Sequence, residues 1–349
     1  MDRQYTILAP AKLNLGLRIL GKSNEGWHYL ASPILAIPFY DILEGEIFYG
    51  KKRSCEVKIH YPDDIQTKLG TSLQKDITNN NLIWKVLDKW LLFANTKQEY
   101  KVFAEKGVGA HLALTKKIPS PSGFGGGSSD MAAFLEMLAN FVQVETGISK
   151  TKFFKDILAI SETWSGDLPF FIEQKINPDS ICMICGKGKV HPILDKPKKI
   201  YGILGFADFG FSTKEMFKAC SNVLDFALQA EKDSQFGNSV NSMQDLARSI
   251  CEREKQRFLA QWQKQEAVNI MQNDFLTVAH ALYKDKADAL EQALLLLQQE
   301  LASLRVFAMI GMSGSGPGLY AVFREAGFLK DLVLSMNRKT DFRWIAFPA

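Results

Sequence analysis

Residues 119–130 read PSPSGFGGGSSD. An apolar strand-like run, HLALTKKIP, leads into them, and MAAFLEMLANFV follows with apolar residues at 131, 134, 135 and 138 along one face of a helix. No spare residues separate these pieces, so the chain must pass from strand through glycine loop directly into helix. Consecutive glycines reach φ values closed to other residues and let several N–H groups converge on one anion. The helix start adds its positive end, and the two serines offer hydroxyls to the helix or to a phosphate. Flexible linkers share this composition, but they are not normally held between a strand and an amphipathic helix. The stretch therefore reads as a phosphate cradle, with Asp130 expected to cap the helix.

A second stretch, GLRILGKS at 16–23, matches the nucleotide-binding expression G-x-x-x-x-G-K-[ST] letter for letter. Its surroundings disagree with that match. L-R-I-L continues an alternating strand, and Lys22-Ser23 runs into the turn signal NEG where a helix would have to start. A strand and turn that deliver Trp27 and His28 are expected there instead.

At 349 residues, 46% of them apolar, the chain exceeds one typical core and points to two domains. Its 42 basic and 38 acidic residues leave a formal charge of +4 spread along the sequence, which argues against nucleic acid as the main partner. No run approaches the roughly 20 apolar residues needed to cross a membrane. MDRQYTILAPAK carries charges where a signal peptide has its apolar region, so a cytoplasmic location is expected. The five cysteines, Cys55, Cys182, Cys185, Cys220 and Cys251, are an odd number without disulfide-framework spacing. The CMIC pair at 182–185 has no second pair to complete a zinc site and reads as a buried strand.

Elsewhere YTILAPAKLNLGLRIL and SPILAIPFYDILEGEIFY alternate like strands of an antiparallel sheet. NLIWKVLDKWLLFA carries Leu82, Ile83, Val86, Leu87 and Trp90 at helical spacing, with Asn80 or Asn81 as its cap. A strand pair is expected around GKGKV, long solvated helices over 225–270, and an amphipathic helix in KADALEQALLLLQQELASL. A strand, VFAMIG, then leads into a second glycine loop, MSGSGPG.

The stretches APAKLNLGL, SGFGGGSSD and GMSGSGPG, in this order and spread over nearly the whole chain, resemble the three motifs of the GHMP kinase superfamily, the group of galactokinase, homoserine kinase, mevalonate kinase and phosphomevalonate kinase. The resemblance implies an α+β, two-lobed fold, with a ribosomal protein S5 domain 2-like N-terminal lobe over 1–178 and a ferredoxin-like C-terminal lobe over 179–349. It implies ATP as phosphoryl donor, bound by Pro119, Ser120, Pro121, Ser122, Gly123, Phe124, Gly125, Gly126, Gly127, Ser128 and Ser129. Magnesium is expected with the nucleotide; its protein ligands stay open, Ser128 being a weak candidate. PAKLNL, NEGWHYL and DLPFF resemble in particular the branch of the superfamily whose alcohol carries a cytidine diphosphate group. That implies phosphorylation of a 2-hydroxyl on an isoprenoid precursor. Another small-alcohol kinase of the homoserine or mevalonate type, or an inactive ligand sensor, are the alternatives.

By the same resemblance Lys12 and Asp167 match the catalytic lysine and aspartate. Phosphoryl transfer to an alcohol needs positioning and electrostatic help, which one base and one cation supply. Without the other motifs Lys12 would read as a snorkelling strand lysine and Asp167 as a turn residue before Pro169. Asn14, two residues after Lys12, shares its strand face and is a candidate to bond substrate. His28 matches a cytosine-reading histidine, Trp27 replaces the more usual tyrosine beside it, and Phe217 aligns loosely with an aromatic packed on the base. Pro121 and Ser122 depart from the usual small residues, and Pro121 removes an N–H donor from the loop. The expected partners are ATP and a small cytidyl diphosphate substrate, with no nucleic acid or membrane, in a monomer or homodimer.

Overall fold

The computed structural model describes residues 4–23, 25–50, 55–62, 81–224, 243–264 and 267–347. Asn24 of the NEG turn, the alternative cap Asn80, and residues 225–242 and 265–266 of the polar stretch lie outside them. The chain packs as two compact units. One comprises the described residues of Met1–Ala11, Phe39–Pro119 and Gly125–Pro178; the other those of Lys12–Pro38, Ser120–Phe124 and Asp179–Ala349. One division falls at 178/179, and two excursions, 12–38 and 120–124, group with the C-terminal half. Backbone bonds explain them. The Lys12 N–H donates to the Phe124 carbonyl at 3.0 Å, and the Gly318 N–H donates to the Ser122 carbonyl at 2.9 Å.

Strands β1 (Gln4–Asn14), β2 (Arg18–Lys22) and β3 (His28–Tyr49) open the chain, and both β1 and β2 pair with β3. In the first unit the later part of β3 runs antiparallel to β5 (Val108–Thr115), from Ile42 opposite Thr115 to Tyr49 opposite Val108. Strand β4 (Cys55–His60) lies parallel to β5 on its other side. Helix α1 (Leu82–Asn95) starts at Asn81, whose side chain accepts the Ile83 N–H at 2.9 Å, and it buries Ile83, Val86, Leu87 and Trp90 as its spacing requires. A 3-10 turn (Gln98–Tyr100) and helix α2 (Lys101–Lys106) follow. Trp90, Tyr100, Phe103 and Phe153 meet in tilted and T-shaped pairs that form an aromatic core.

Helix α3 (Gly126–Thr146) grows out of the glycine loop and packs against α1, α4 (Lys150–Ser161) and α5 (Leu168–Ile176). It differs from the one-faced helix its periodicity predicts. Besides Met131, Phe134, Leu135 and Leu138, it buries Ala132, Ala133, Met137, Ala139, Phe141 and Val142, because it is the central helix of its unit. DLPFF supplies the start of α5, with Asp167 at the N-cap position.

In the second unit β2, the start of β3, β6 (Ser180–Gly186) and β7 (Lys189–Asp195) form antiparallel neighbours, Leu30 facing Gly186 and Ala31 facing Cys185. The pair around GKGKV and the buried CMIC strand are as expected. A five-stranded sheet follows, ordered β12 (Arg343–Phe347), β8 (Tyr201–Phe206), β11 (Leu319–Phe323), β10 (Phe307–Met312) and β9 (Ala267–Ile270), antiparallel except for β9 beside β10. Helices α6 (Thr213–Val223), α8 (Asp274–Leu282), α9 (Lys284–Ala302) and α10 (Leu329–Lys339) share one apolar core with this sheet. Helix α7 (Met243–Trp262) covers β6 through Leu246, Ala247, Ile250 and Cys251.

Candidate active site

Lys12 lies near the end of β1 and is almost wholly buried, at 2% exposure. A buried ammonium needs partners, and the strand provides one by its period of two: the Lys12 Nζ donates to Asn14 Oδ1. Asn14 is held in turn, its Nδ2 donating to Ser32 Oγ at 2.8 Å and its backbone N–H to Ser313 Oγ at 3.2 Å. Ser32 Oγ donates to the Gly16 carbonyl at 2.6 Å. Asn14, expected to bond substrate, thus has both ends of its amide engaged in holding Lys12. The turn MSGSGPG stands directly over that ammonium, since a Cβ added to Gly314 would lie 3.0 Å from Lys12 Nζ. Asn273 fastens the turn by donating to the Met312 and Gly314 carbonyls at 2.8 and 2.9 Å, while its Oδ1 caps α8 at the Phe275 N–H.

The same turn grips the first half of the glycine motif. Ser313 Oγ donates to the Gly123 carbonyl at 2.9 Å, and Phe124 is buried edge-on against Phe206. Pro121 packs on Gly210, where an added Cβ would come within 2.5 Å of its ring, so the proline that departs from the usual pattern has a seat in this fold. Gly123 has φ +78°, and a Cβ there would lie 1.9 Å from the Ser313 carbonyl oxygen. Gly123→Ala combines left-handed strain, costing about 1–3 kcal/mol, with a backbone clash. It is expected to raise the KM for ATP by about tenfold or more; steady-state kinetics beside a urea melt separate loss of binding from loss of fold.

The second half of the motif lies in the other unit. Gly125 takes a left-handed φ of 73° and α3 begins at once. The first amides of a helix have no intrahelical acceptor, so this start points several N–H donors outward. Ser128 Oγ meets Ser165 Oγ at 2.6 Å, which ties the helix start to the turn that carries Asp167. Asp167 is half-buried and its carboxylate does not cap α5, whose second residue, Pro169, has no N–H to offer. Asp130 does not cap α3 either, which corrects the sequence expectation. It accepts from Lys116 Nζ at 2.7 Å, Lys116 also donates to Asp41, and Asp41 Oδ1 takes the Lys117 and Ile118 N–H groups at 2.5 and 2.8 Å. Burial pushes the Asp130 carboxyl up to about 7, with Lys116 pulling it down and Asp41 adding to the rise. The Lys116 ammonium underlies the loop, because a Cβ on Gly126 would lie 3.1 Å from its Nζ.

A third group forms around His28, at the start of β3. Its ring lies 5.1 Å from Phe217, which in turn meets Phe275 at 4.8 Å. Burial, and then the Lys22 ammonium opposite it in the β2–β3 register, hold His28 below the usual histidine value. A neutral imidazole offers one donor and one acceptor, as reading a base edge requires. Trp27 projects outward with 55% exposure, on a turn closed by Ser23 N–H to the Trp27 carbonyl at 2.7 Å. GLRILGKS is therefore strand β2 and a turn, with Gly16 and Leu17 ahead of it and no helix at Lys22. Lys22→Ala should leave the ATP dissociation constant within about twofold, which nucleotide titration by calorimetry checks.

Of the expected residues, the second unit brings together Lys12 and Asn14, Ser122 to Phe124, and His28 with Phe217; the first brings Ser128 to the turn of Asp167. Ser32, Ser313, Asn273, Lys116 and Asp41 join these groups through contacts that the motifs do not predict. Asn273 carried a local signal, an Asn-Asp pair ahead of the apolar run FLTVAHAL, whereas the others show their partners only after folding.

Residues 81–174 match the family described as GHMP kinases N terminal domain. Over its whole length the fold is that of such enzymes. A solved 4-(cytidine 5'-diphospho)-2C-methyl-D-erythritol kinase superposes with a TM-score of 0.57 at 19% identity, covering 99% of this chain and 98% of that one. L. major mevalonate kinase in complex with R-mevalonate gives 0.56 at 13%, covering 100% and 99%. In sequence the chain is 27% identical to the 4-diphosphocytidyl-2-C-methyl-D-erythritol kinase of Prochlorococcus marinus (strain MIT 9515), over 95% of this chain and 90% of that protein. It is 29% identical to the same-named kinase of Polaromonas naphthalenivorans (strain CJ2), over 71% and 75%.

Proposed function

We propose that this protein transfers the γ-phosphoryl group of ATP to the 2-hydroxyl of 4-diphosphocytidyl-2-C-methyl-D-erythritol, giving the 2-phosphate and ADP in the non-mevalonate route to isoprenoid precursors. The observation that carries this reading is near full-length similarity to kinases of that name. The His28–Phe217 pair agrees with it, as a homoserine or mevalonate kinase has no base to read.

Asp167 accepts the proton of the attacking hydroxyl, and the Lys12 ammonium orients that oxygen and offsets the charge developing on the phosphoryl group. The loop Pro119–Ser129 takes the ATP phosphates on its amides and on the start of α3. Magnesium supplies charge neutralisation to the triphosphate when bound. Among the described residues no three His, Cys, Asp or Glu side chains gather as a metal site, and Ser128 Oγ is engaged by Ser165. Among the described residues no helix is long and apolar enough to cross a membrane; a cytoplasmic monomer or homodimer acting on small molecules suits this chemistry.

Purified protein with Mg-ATP and each candidate alcohol, followed by ADP release, tests the assignment. Turnover is expected with the cytidyl substrate; turnover only with homoserine or mevalonate would overturn it, and ATP binding without turnover would point to a sensor. Reading of the base has its own test. His28→Ala should raise the KM for the cytidyl substrate by about tenfold, the worth of a hydrogen bond, and leave the KM for ATP nearly unchanged.

A further inference from the structure

Helix α7 has no part in the proposed reaction, yet it is fixed to the strands that carry His28. Its apolar face, Leu246, Ala247, Ile250 and Cys251, packs on Leu20, Tyr29, Ala31 and Met183, with Cys185 at the edge of the same cluster. Arg18 of β2 reaches Glu254 of the helix at 3.1 Å. Two thiols meet in this interface. Cys251 Sγ lies 3.4 Å from the Leu30 carbonyl, and Leu30 and Ala31 stand opposite Gly186 and Cys185 in the β3–β6 register, which places Cys251 over Cys185. Cys185 packs against the buried cluster that includes Cys251. Both are free thiols, Cys251 buried and Cys185 half-exposed. Cys220 is placed differently, donating to the Met216 carbonyl of its own helix, and Cys182 lies beside Ser180 Oγ.

We propose that Cys185 and Cys251 are an oxidisable dithiol, which a hydroperoxide converts to a disulfide that ties α7 to β6. Interaction with the Cys185 side chain and with the Gly186 backbone holds Cys251 below the usual thiol value, and the Cys251 side chain in turn pushes Cys185 up. Cys251 is therefore the attacking thiolate and Cys185 the resolving thiol. The Cys251 sulfur takes one peroxide oxygen, the O–O bond breaks, and the departing hydroxide joins the proton Cys251 gave up to make water. Cys185 sulfur then attacks the sulfenic sulfur of Cys251, the S–O bond breaks, and the hydroxyl leaves as a second water with the Cys185 proton. Two thiols lose two electrons and one peroxide becomes two waters.

The test treats the full chain with hydrogen peroxide and compares it with untreated protein. The expected product has lost two hydrogens in intact mass, and non-reducing peptide mapping finds Cys185 joined to Cys251, reversed by a thiol reductant. Amide exchange across 243–262 should slow on oxidation in the wild type and stay unchanged in Cys185→Ser, which cannot close the bridge. Cys251→Ser should leave Cys185 largely unoxidised at the same dose. A bridge involving Cys55, Cys182 or Cys220 instead, or sulfinic acid at Cys251 without any bridge, would overturn the proposal. None of these readouts depends on which alcohol the enzyme phosphorylates.

Discussion

Asp167→Asn is expected to lower kcat by about a hundredfold or more while the dissociation constant for ATP stays within about twofold. The substitution keeps the shape of the side chain and removes its negative charge together with its ability to take a proton. The fold around it should persist, because the carboxylate does not cap α5 and the turn is fixed independently through Ser165 to Ser128. Single-turnover rates with saturating substrate measure the chemical step, and a calorimetric melt checks the fold. An active asparagine variant would place the base elsewhere. A variant that lost ATP binding along with turnover would make Asp167 a structural residue of the glycine-loop helix.

The second large effect is on stability. Lys116→Met is expected to cost about 3–5 kcal/mol, as removal of one member of a buried ionic cluster leaves uncompensated charge behind. Asp41 and Asp130 are at 0% and 5% exposure, so neither reaches water when the ammonium goes. Asp41 keeps the Lys117 and Ile118 amides, whereas Asp130 loses its ammonium partner. The loss should depend on pH with a definite sign. Asp130 is raised from 3.8 to about 7 in the folded protein, chiefly by burial. A carboxyl raised on folding binds its proton more tightly in the native state, so its contribution falls as pH rises through that window. Without Lys116 to pull it down the window widens upward, and the cost of the substitution should be smaller at mildly acidic pH than at alkaline pH. Urea midpoints of both proteins across pH decide this; a cost independent of pH would mean that packing around the lysine stem, and not charge, holds the cluster.

The sequence made the local parts of this molecule legible and hid the distant ones. Strand, glycine loop and helix around 119–130 could be read because glycine backbone freedom and helix starts are local properties. The Asn81 cap and the hairpin around GKGKV follow for the same reason. Lys12 and Asn14 share a face by strand period alone, but Ser32, which orients the amide between them, is 18 residues away, and its role depends on a pairing that no pattern announces. Lys116 and Asp41 are 75 residues apart. With that lysine invisible as a partner, an aspartate beside a helix start such as Asp130 reads as a cap. Helix α3 shows a related limit. Alanines at 132, 133 and 139 are neutral in a periodicity count, yet they are what lets helices close on it from more than one side.

The register of β2 against β3 gives the deceptive GLRILGKS stretch an unforeseen use. Lys22 faces His28 across the strand pair, and its charge, added to burial, resists protonation of that imidazole. The lysine of that stretch thus widens the acid range over which the histidine stays neutral and keeps both a donor and an acceptor.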